Sequence, residues 1–137
     1  MPTELIDAKK LIRKRFEEVD NPAIIPMQNG GFFNATLRDD GIEVSNLGNQ
    51  PFLPWSVFDE TLILLTANNG RVLRGDAMNF RLGEEGLPID SVEGHVAYHV
   101  YGKQLGDAVF RRITPIANVL IWAGVCKARP GEIILKK

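Results

Sequence analysis

The sequence predicts an α+β fold, and three observations carry that reading. Helical spacing or helix-capping residues mark four stretches, at 3–19, 54–67, 90–101 and 115–123. Apolar and polar residues alternate through Phe33, Ala35 and Leu37 and again through Ile42 and Val44, the period of two expected of half-buried strands. Turn residues stand between paired strand candidates at Asp39-Asp40-Gly41 and at Arg129-Pro130-Gly131.

The first helix takes Thr3 as its N-cap, and Leu5, Ala8, Ile12, Phe16 and Val19 form one apolar stripe. Its run Lys9, Lys10, Arg13, Lys14, Arg15 lies mostly off that stripe and reads as a solvated basic face. Pro22, Pro26, Gly30 and Gly31 interrupt regular structure, and Ala23-Ile24-Ile25 marks a linker packed against the body. The hairpin 33–44 follows, its two aspartates explained by turn chemistry rather than by a metal. Pro54 stands near the first turn of the second helix, on which Phe58, Leu62 and Leu65 share a face, and Asn68-Asn69-Gly70 ends it. A short strand over 71–74 and an irregular segment over 75–88 come next. Asp90-Ser91-Val92-Glu93 reads as a capping box with Asp90 as N-cap, opening a helix that reaches about Tyr101. Thr114 as N-cap and Pro115 at the first position fit a last helix of 115–123, preceded by a separate turn at 108–112 and ended by Gly124. Residues 125–135 then close as a hairpin. This divides the chain into an amino-terminal helix plus β-hairpin extension, 1–50, and a domain of 51–137.

Composition narrows the function. The chain has 137 residues, 45% of them hydrophobic, with a net charge of −1, which excludes a disordered or low-complexity scaffold. No apolar run is long enough to span a bilayer, and Met1-Pro2-Thr3-Glu4-Leu5 lacks a secretion signal, so a cytoplasmic protein with no membrane partner is expected. Cys126 is the one cysteine and builds neither a disulfide nor a thiolate zinc site. From Lys103 onward seven basic residues face two acidic ones, a local footprint for an anionic partner on a nearly neutral chain.

From Leu53 the order helix, strand, irregular segment, helix, helix, hairpin is that of a winged helix-turn-helix. The stretch Phe110-Arg111-Arg112-Ile113 through Ala123-Gly124-Val125-Cys126, with Arg129-Pro130-Gly131-Glu132-Ile133-Ile134-Leu135, resembles the amino-terminal domain of Mrr-type restriction proteins. There an Arg-Ile pair opens a helix, an Ala-Gly pair closes it, and a glycine turn leads into the last strand. The resemblance spans about residues 53–137 and implies a DNA-binding role. It does not extend to a nuclease: the single Asp/Glu-x-Lys here, Asp7-Ala8-Lys9, stands on a surface helix with only Glu4 as an acidic residue before it. A non-enzymatic module on double-stranded DNA is therefore expected, regulatory or restriction-associated, with no cofactor. Arg111 and Arg112 precede the last helix, Asn118 lies off its apolar stripe, and Lys127 and Arg129 occupy the hairpin; these five are the candidate DNA contacts. The same register puts Phe58, Leu62, Leu65, Ile113, Ala117 and Leu120 in one core and sends at least one of the two arginines to solvent.

Other chemistry is weakly encoded. His95 and His99 are four apart on one predicted helix, but the intervening glutamate of a zinc-protease motif is missing. Cys126 follows an apolar helix and reads as a packed residue. Phosphate-loop, dinucleotide and nucleophile-elbow motifs are absent, so the expectation is no enzyme and no metal. The alternative function is a homodimer or protein-interaction module on the same scaffold, using Phe32, Phe52 and Trp55 beside the hairpin.

Overall fold

Asp7 caps helix α1 (Ala8–Glu18), its Oδ1 accepting the Lys10 N–H at 3.1 Å. The computed structural model describes residues 7–136, so the predicted Thr3 cap and Leu5 lie outside it. Ala8, Ile12 and Phe16 bury the apolar stripe of α1 as their spacing predicts. The Ala23-Ile24-Ile25 tract is not a linker but strand β1 (Ala23–Pro26), buried and exposed in alternation. It pairs antiparallel with β2 (Phe32–Arg38), which turns through Asp39-Asp40 into β3 (Gly41–Val44).

Gly41 is thus the first residue of a strand and not part of the turn. It is glycine because β4 (Phe52–Pro54) crosses directly over it: a Cβ there would stand 2.8 Å from Pro54 Cα and collide with the Leu53 carbonyl. The four strands form one sheet in the order β1-β2-β3-β4. The extension is therefore a four-stranded sheet, larger than the expected hairpin, and its last strand lies beyond residue 50.

Helix α2 (Trp55–Ala67) follows β4 without a loop, with Pro54 as N-cap and Asn69 in the left-handed region at its end. Strand β5 (Arg71–Leu73), an irregular segment, and α3 (Val92–His99) come next. The cap of α3 is Ser91 rather than Asp90: Ser91 Oγ accepts the Gly94 N–H at 3.1 Å and donates to the Pro88 carbonyl at 2.6 Å. Helix α4 (Ile113–Trp122) starts earlier than predicted, with Arg112 as N-cap and Pro115 still inside the first turn, where the missing N–H costs nothing. The preceding 108–112 segment carries no helical turn. Gly124, at φ 79°, stops the helix. Strands β6 (Cys126–Arg129) and β7 (Glu132–Leu135) form the expected hairpin, and β5 joins them in the order β5-β7-β6.

The result is a mixed α+β protein with two antiparallel sheets and four helices among the described residues. One hydrophobic cluster runs from Ala8 to Ile133, so the segments before and after residue 50 share a core. Phe58, Leu62, Leu65, Ile113, Ala117 and Leu120 are all within it, as predicted. A smaller cluster of Leu82, Leu87, Ala97 and Val109 anchors the irregular segment.

Candidate nucleic-acid interface

Helix α4 presents no polar face. Seven of its ten residues are buried, from Ile113 through Leu120 with Thr114 half-exposed, because α1, α2, β1 and β6 pack around it. Phe16 of α1 meets Trp122 edge to face at 4.9 Å, and Arg15 Nε donates to the Trp122 carbonyl at 3.1 Å. Asn118 is 2% exposed, its Nδ2 donating to the Thr114 carbonyl at 2.8 Å. It was expected off the apolar stripe, on a solvent face, but that side of α4 is enclosed as well. Asn118 is thereby removed as a surface contact.

Arg112 is removed as well. It is 6% exposed, with its guanidinium 3.6 Å from the Tyr101 ring centroid and 4.8 Å from that of Phe110. Nη2 donates to Gln50 Oε1 at 2.8 Å, tying α4 to the loop before β4. Burial lowers its proton affinity, an effect that the Tyr101 and Glu93 anionic forms oppose. Arg111 takes the solvent-facing role instead. Neither arginine pairs with Asp107, whose Oδ2 accepts the Gln104 N–H at 2.8 Å.

Glu93 organises this junction. Predicted as the reciprocal half of a capping box, it turns instead to α4, where Oε1 accepts the Arg112 N–H at 2.7 Å. The nearby Ile113 backbone N–H also favours the ionised carboxylate, while Oε2 is buried without a hydrogen-bond partner. The carboxylate thus caps the amino end of α4 from the neighbouring helix. Burial pushes its pKa up to about 7, against the lowering effect of those two N–H groups. Sequence reading missed this role because the two segments meet only in the folded chain.

The exposed cations gather elsewhere. In the β5-β7-β6 sheet Arg71 stands opposite Ile134 and Ile134 opposite Lys127; Leu73 stands opposite Glu132 and Glu132 opposite Arg129. Opposite residues share a face, and so do positions two apart along a strand. One outer face therefore carries Arg71, Lys127 and Arg129 with the single acid Glu132, which lies 3.8 Å from Arg71 Nε. Lys127 and Arg129 are exposed as expected, and Arg71 was not foreseen. Its alternation with Val72 was visible in the sequence, but the strand it would pair with was not. At the end of β5 the Arg74 N–H donates to the Gly131 carbonyl at 2.9 Å, joining this face to the hairpin turn.

The remaining candidates hold no reactive constellation. His95 Nε2 lies 3.0 Å from Glu60 Oε1, and its ring is 4.2 Å from that of His99; burial lowers the His95 pKa. Among the described residues no three His, Cys, Asp or Glu side chains are placed to hold a metal ion. Cys126 is buried, and that burial pushes its thiol up to about 12, far from a thiolate nucleophile at neutral pH. Trp55, expected at a surface, is 9% exposed and donates from Nε1 to the Asp39 carbonyl at 2.9 Å. Among the described residues no helix is long and apolar enough to cross a membrane.

No family model, curated protein or solved structure matches this chain. The functional reading rests on geometry.

Proposed function

We propose that this chain is a non-enzymatic module that binds the phosphate backbone of double-stranded DNA on a winged-helix scaffold. The observation that carries the reading is the outer face of the β5-β7-β6 sheet, where Arg71, Lys127 and Arg129 outnumber one acid. The element order from α2 onward, with the third strand lying between the first and second, supports the winged-helix description and makes β6-β7 the wing. Arg111 adds a cation at the amino end of α4. The apolar, enclosed α4 does not enter a groove in this reading, so the contacts are to phosphates and carry little sequence information. A duplex titration over a range of salt tests it. Binding through these side chains weakens linearly in log salt, and Lys127→Gln and Arg129→Gln each lower the slope by about one. Salt-independent binding, or none, overturns the reading.

A second reading, assembly with another copy or a protein partner, is favoured by one specific feature. Ile24 and Phe32 are 64% and 68% exposed, and the β1-β2 register puts both on the same outer face with Pro26. Sedimentation at increasing concentration tests it: Phe32→Ser abolishes any association that uses this face.

A further inference from the structure

Resting on the assembly reading above, we propose that the partner is a second copy of this chain, and that the two copies exchange Phe32 about a two-fold axis, each seating it in a groove beside strand β1 of the other. Phe32 is 68% exposed on the outer face of its sheet, directly opposite Pro26 of β1. Pro26 in turn lines a groove of about 380 Å³ between β1 and the carboxyl ends of α1 and α4. Val19, Ile24 and Trp122 are its other apolar walls, and Arg15 and Asp20 are its charged residues. An apolar cavity of roughly 150 Å³ already takes a benzene ring, so this groove has room for a phenyl side chain. Phe32 stands one strand away from its own groove, about 5 Å between opposite residues, and does not line it. A knob and a groove side by side on one surface are what a two-fold axis pairs reciprocally.

The strand edge restricts what else can dock there. β1 is an outer strand of its sheet. The Met27 N–H donates to the Gly31 carbonyl at 2.7 Å, and Asn21 Oδ1 accepts the Leu37 N–H at 2.8 Å. With that register Ala23 and Ile25 turn their main-chain groups to β2, while Pro22, Ile24 and Pro26 turn theirs outward. Two of those three are prolines without an N–H, so a strand laid along this edge meets one donor and two rings. Strand addition is disfavoured, and docking here runs through side chains. Charge then selects the second copy. The groove carries one cation and one anion, and the sheet face beside it carries the Arg38–Glu43 pair at 3.2 Å. A surface so balanced gives no attraction to a polyanion or an anionic membrane, but it meets itself across a two-fold axis without an excess of like charge. Val19, Ile24 and Phe32 are 42%, 64% and 68% exposed, so the two knobs and two grooves cover on the order of 1,000 Å² in total, the lower bound for a specific interface. A weak, concentration-dependent dimer with a micromolar Kd is expected.

Sedimentation equilibrium over a range of concentrations tests the exchange. Phe32→Ser removes the knob and leaves the groove, whereas Val19→Lys fills and charges the groove wall and leaves the knob. Both positions are exposed, and a cation suits the carboxyl end of α1, so each variant should unfold at the wild-type midpoint, which is measured alongside. In a two-fold dimer each substitution strikes the contact twice, so a tenfold loss per contact raises the Kd about a hundredfold. An equimolar mixture of the two variants retains one intact knob and groove; it should associate about tenfold more weakly than the wild type and about tenfold more tightly than either variant alone. A mixture no tighter than its parts overturns the exchange. A wild-type dimer disrupted by Phe32→Ser but indifferent to Val19→Lys also overturns it, while keeping assembly through the sheet face. A dimer indifferent to both variants overturns the exchange and that face together. A wild type that stays monomeric throughout overturns the second copy as partner and leaves the assembly reading only a different protein.

Discussion

Glu93 and the two arginines after Phe110 show how little a residue's type says about its task. Glu93 is 2% exposed and its pKa is raised from an ordinary 4.5 to about 7, mainly by burial. Between those values the folded protein keeps a proton that the unfolded chain has released, so stability falls as pH rises through the window and levels off above it. The whole effect is on the order of 3 kcal/mol at one pKa unit per 1.36 kcal/mol. Glu93→Gln lacks this titration, so the wild type should lose stability relative to the variant from about pH 4.5 to about pH 7. Urea unfolding of both proteins across that range checks it, and a constant difference contradicts it. Arg111 and Arg112 should separate just as clearly. Arg112→Gln breaks the Tyr101 stack and the Gln50 bond and should cost about 1–3 kcal/mol of stability with the salt slope of DNA binding unchanged. Arg111→Gln should do the reverse, leaving the unfolding midpoint within the ordinary surface range of about 0.5 kcal/mol while lowering the slope.

At the scale of elements, period and punctuation governed what could be read in advance. Asn68-Asn69-Gly70, Gly124 and Pro130-Gly131 end or turn their elements as their backbone preferences require, with Asn69, Gly124 and Gly131 all at positive φ. The register of α4 was readable too: Ile113, Ala117 and Leu120 face the core. Leu120→Ala should therefore cost about 2–5 kcal/mol in denaturant unfolding, as cavity-forming core changes do. A loss within the surface range would contradict the burial of that position. Strands β1 and β4 were not readable. Four and three residues long, and carrying prolines at their ends, they have too few positions to display alternation and acquire their identity by pairing with β2 and β3. The cap of α3 was assigned one residue early because Asp90 and Ser91 are both capping residues, and only the Ser91 hydroxyl meets the Gly94 N–H.

Across the whole molecule, the decisive event is that the amino-terminal sheet and α1 close over α4. That cover makes the chain one cooperative body, so residues 51–137 alone should not hold native packing. The isolated fragment is expected to bind a hydrophobic dye and to lose the near-UV signal of Trp55 and Trp122, and a monomeric fragment with native near-UV spectra would contradict this. Two site residues are lost to burial: Asn118 inside the packed surround of α4, and Arg112 stacked on Tyr101 and Phe110 and bonded to Gln50. Asn118 and Arg112 are polar side chains beside an apolar stripe, and sequence spacing cannot distinguish a solvent face from one covered by a distant segment. Lys127 and Arg129 were legible as exposed, as was one of Arg111 and Arg112, because long cations avoid burial unless partnered; the structure makes that one Arg111. Arg71 joined them only through the strand register. By itself the sequence determined the α+β class, the helix cores, the closing hairpin and the basic tendency of its last third, because these follow from local periodicity, turn chemistry and charge. Tertiary structure alone decided which face of α4 stays dry, what Glu93 caps and which cations share a surface, because each depends on contacts between segments far apart in the chain.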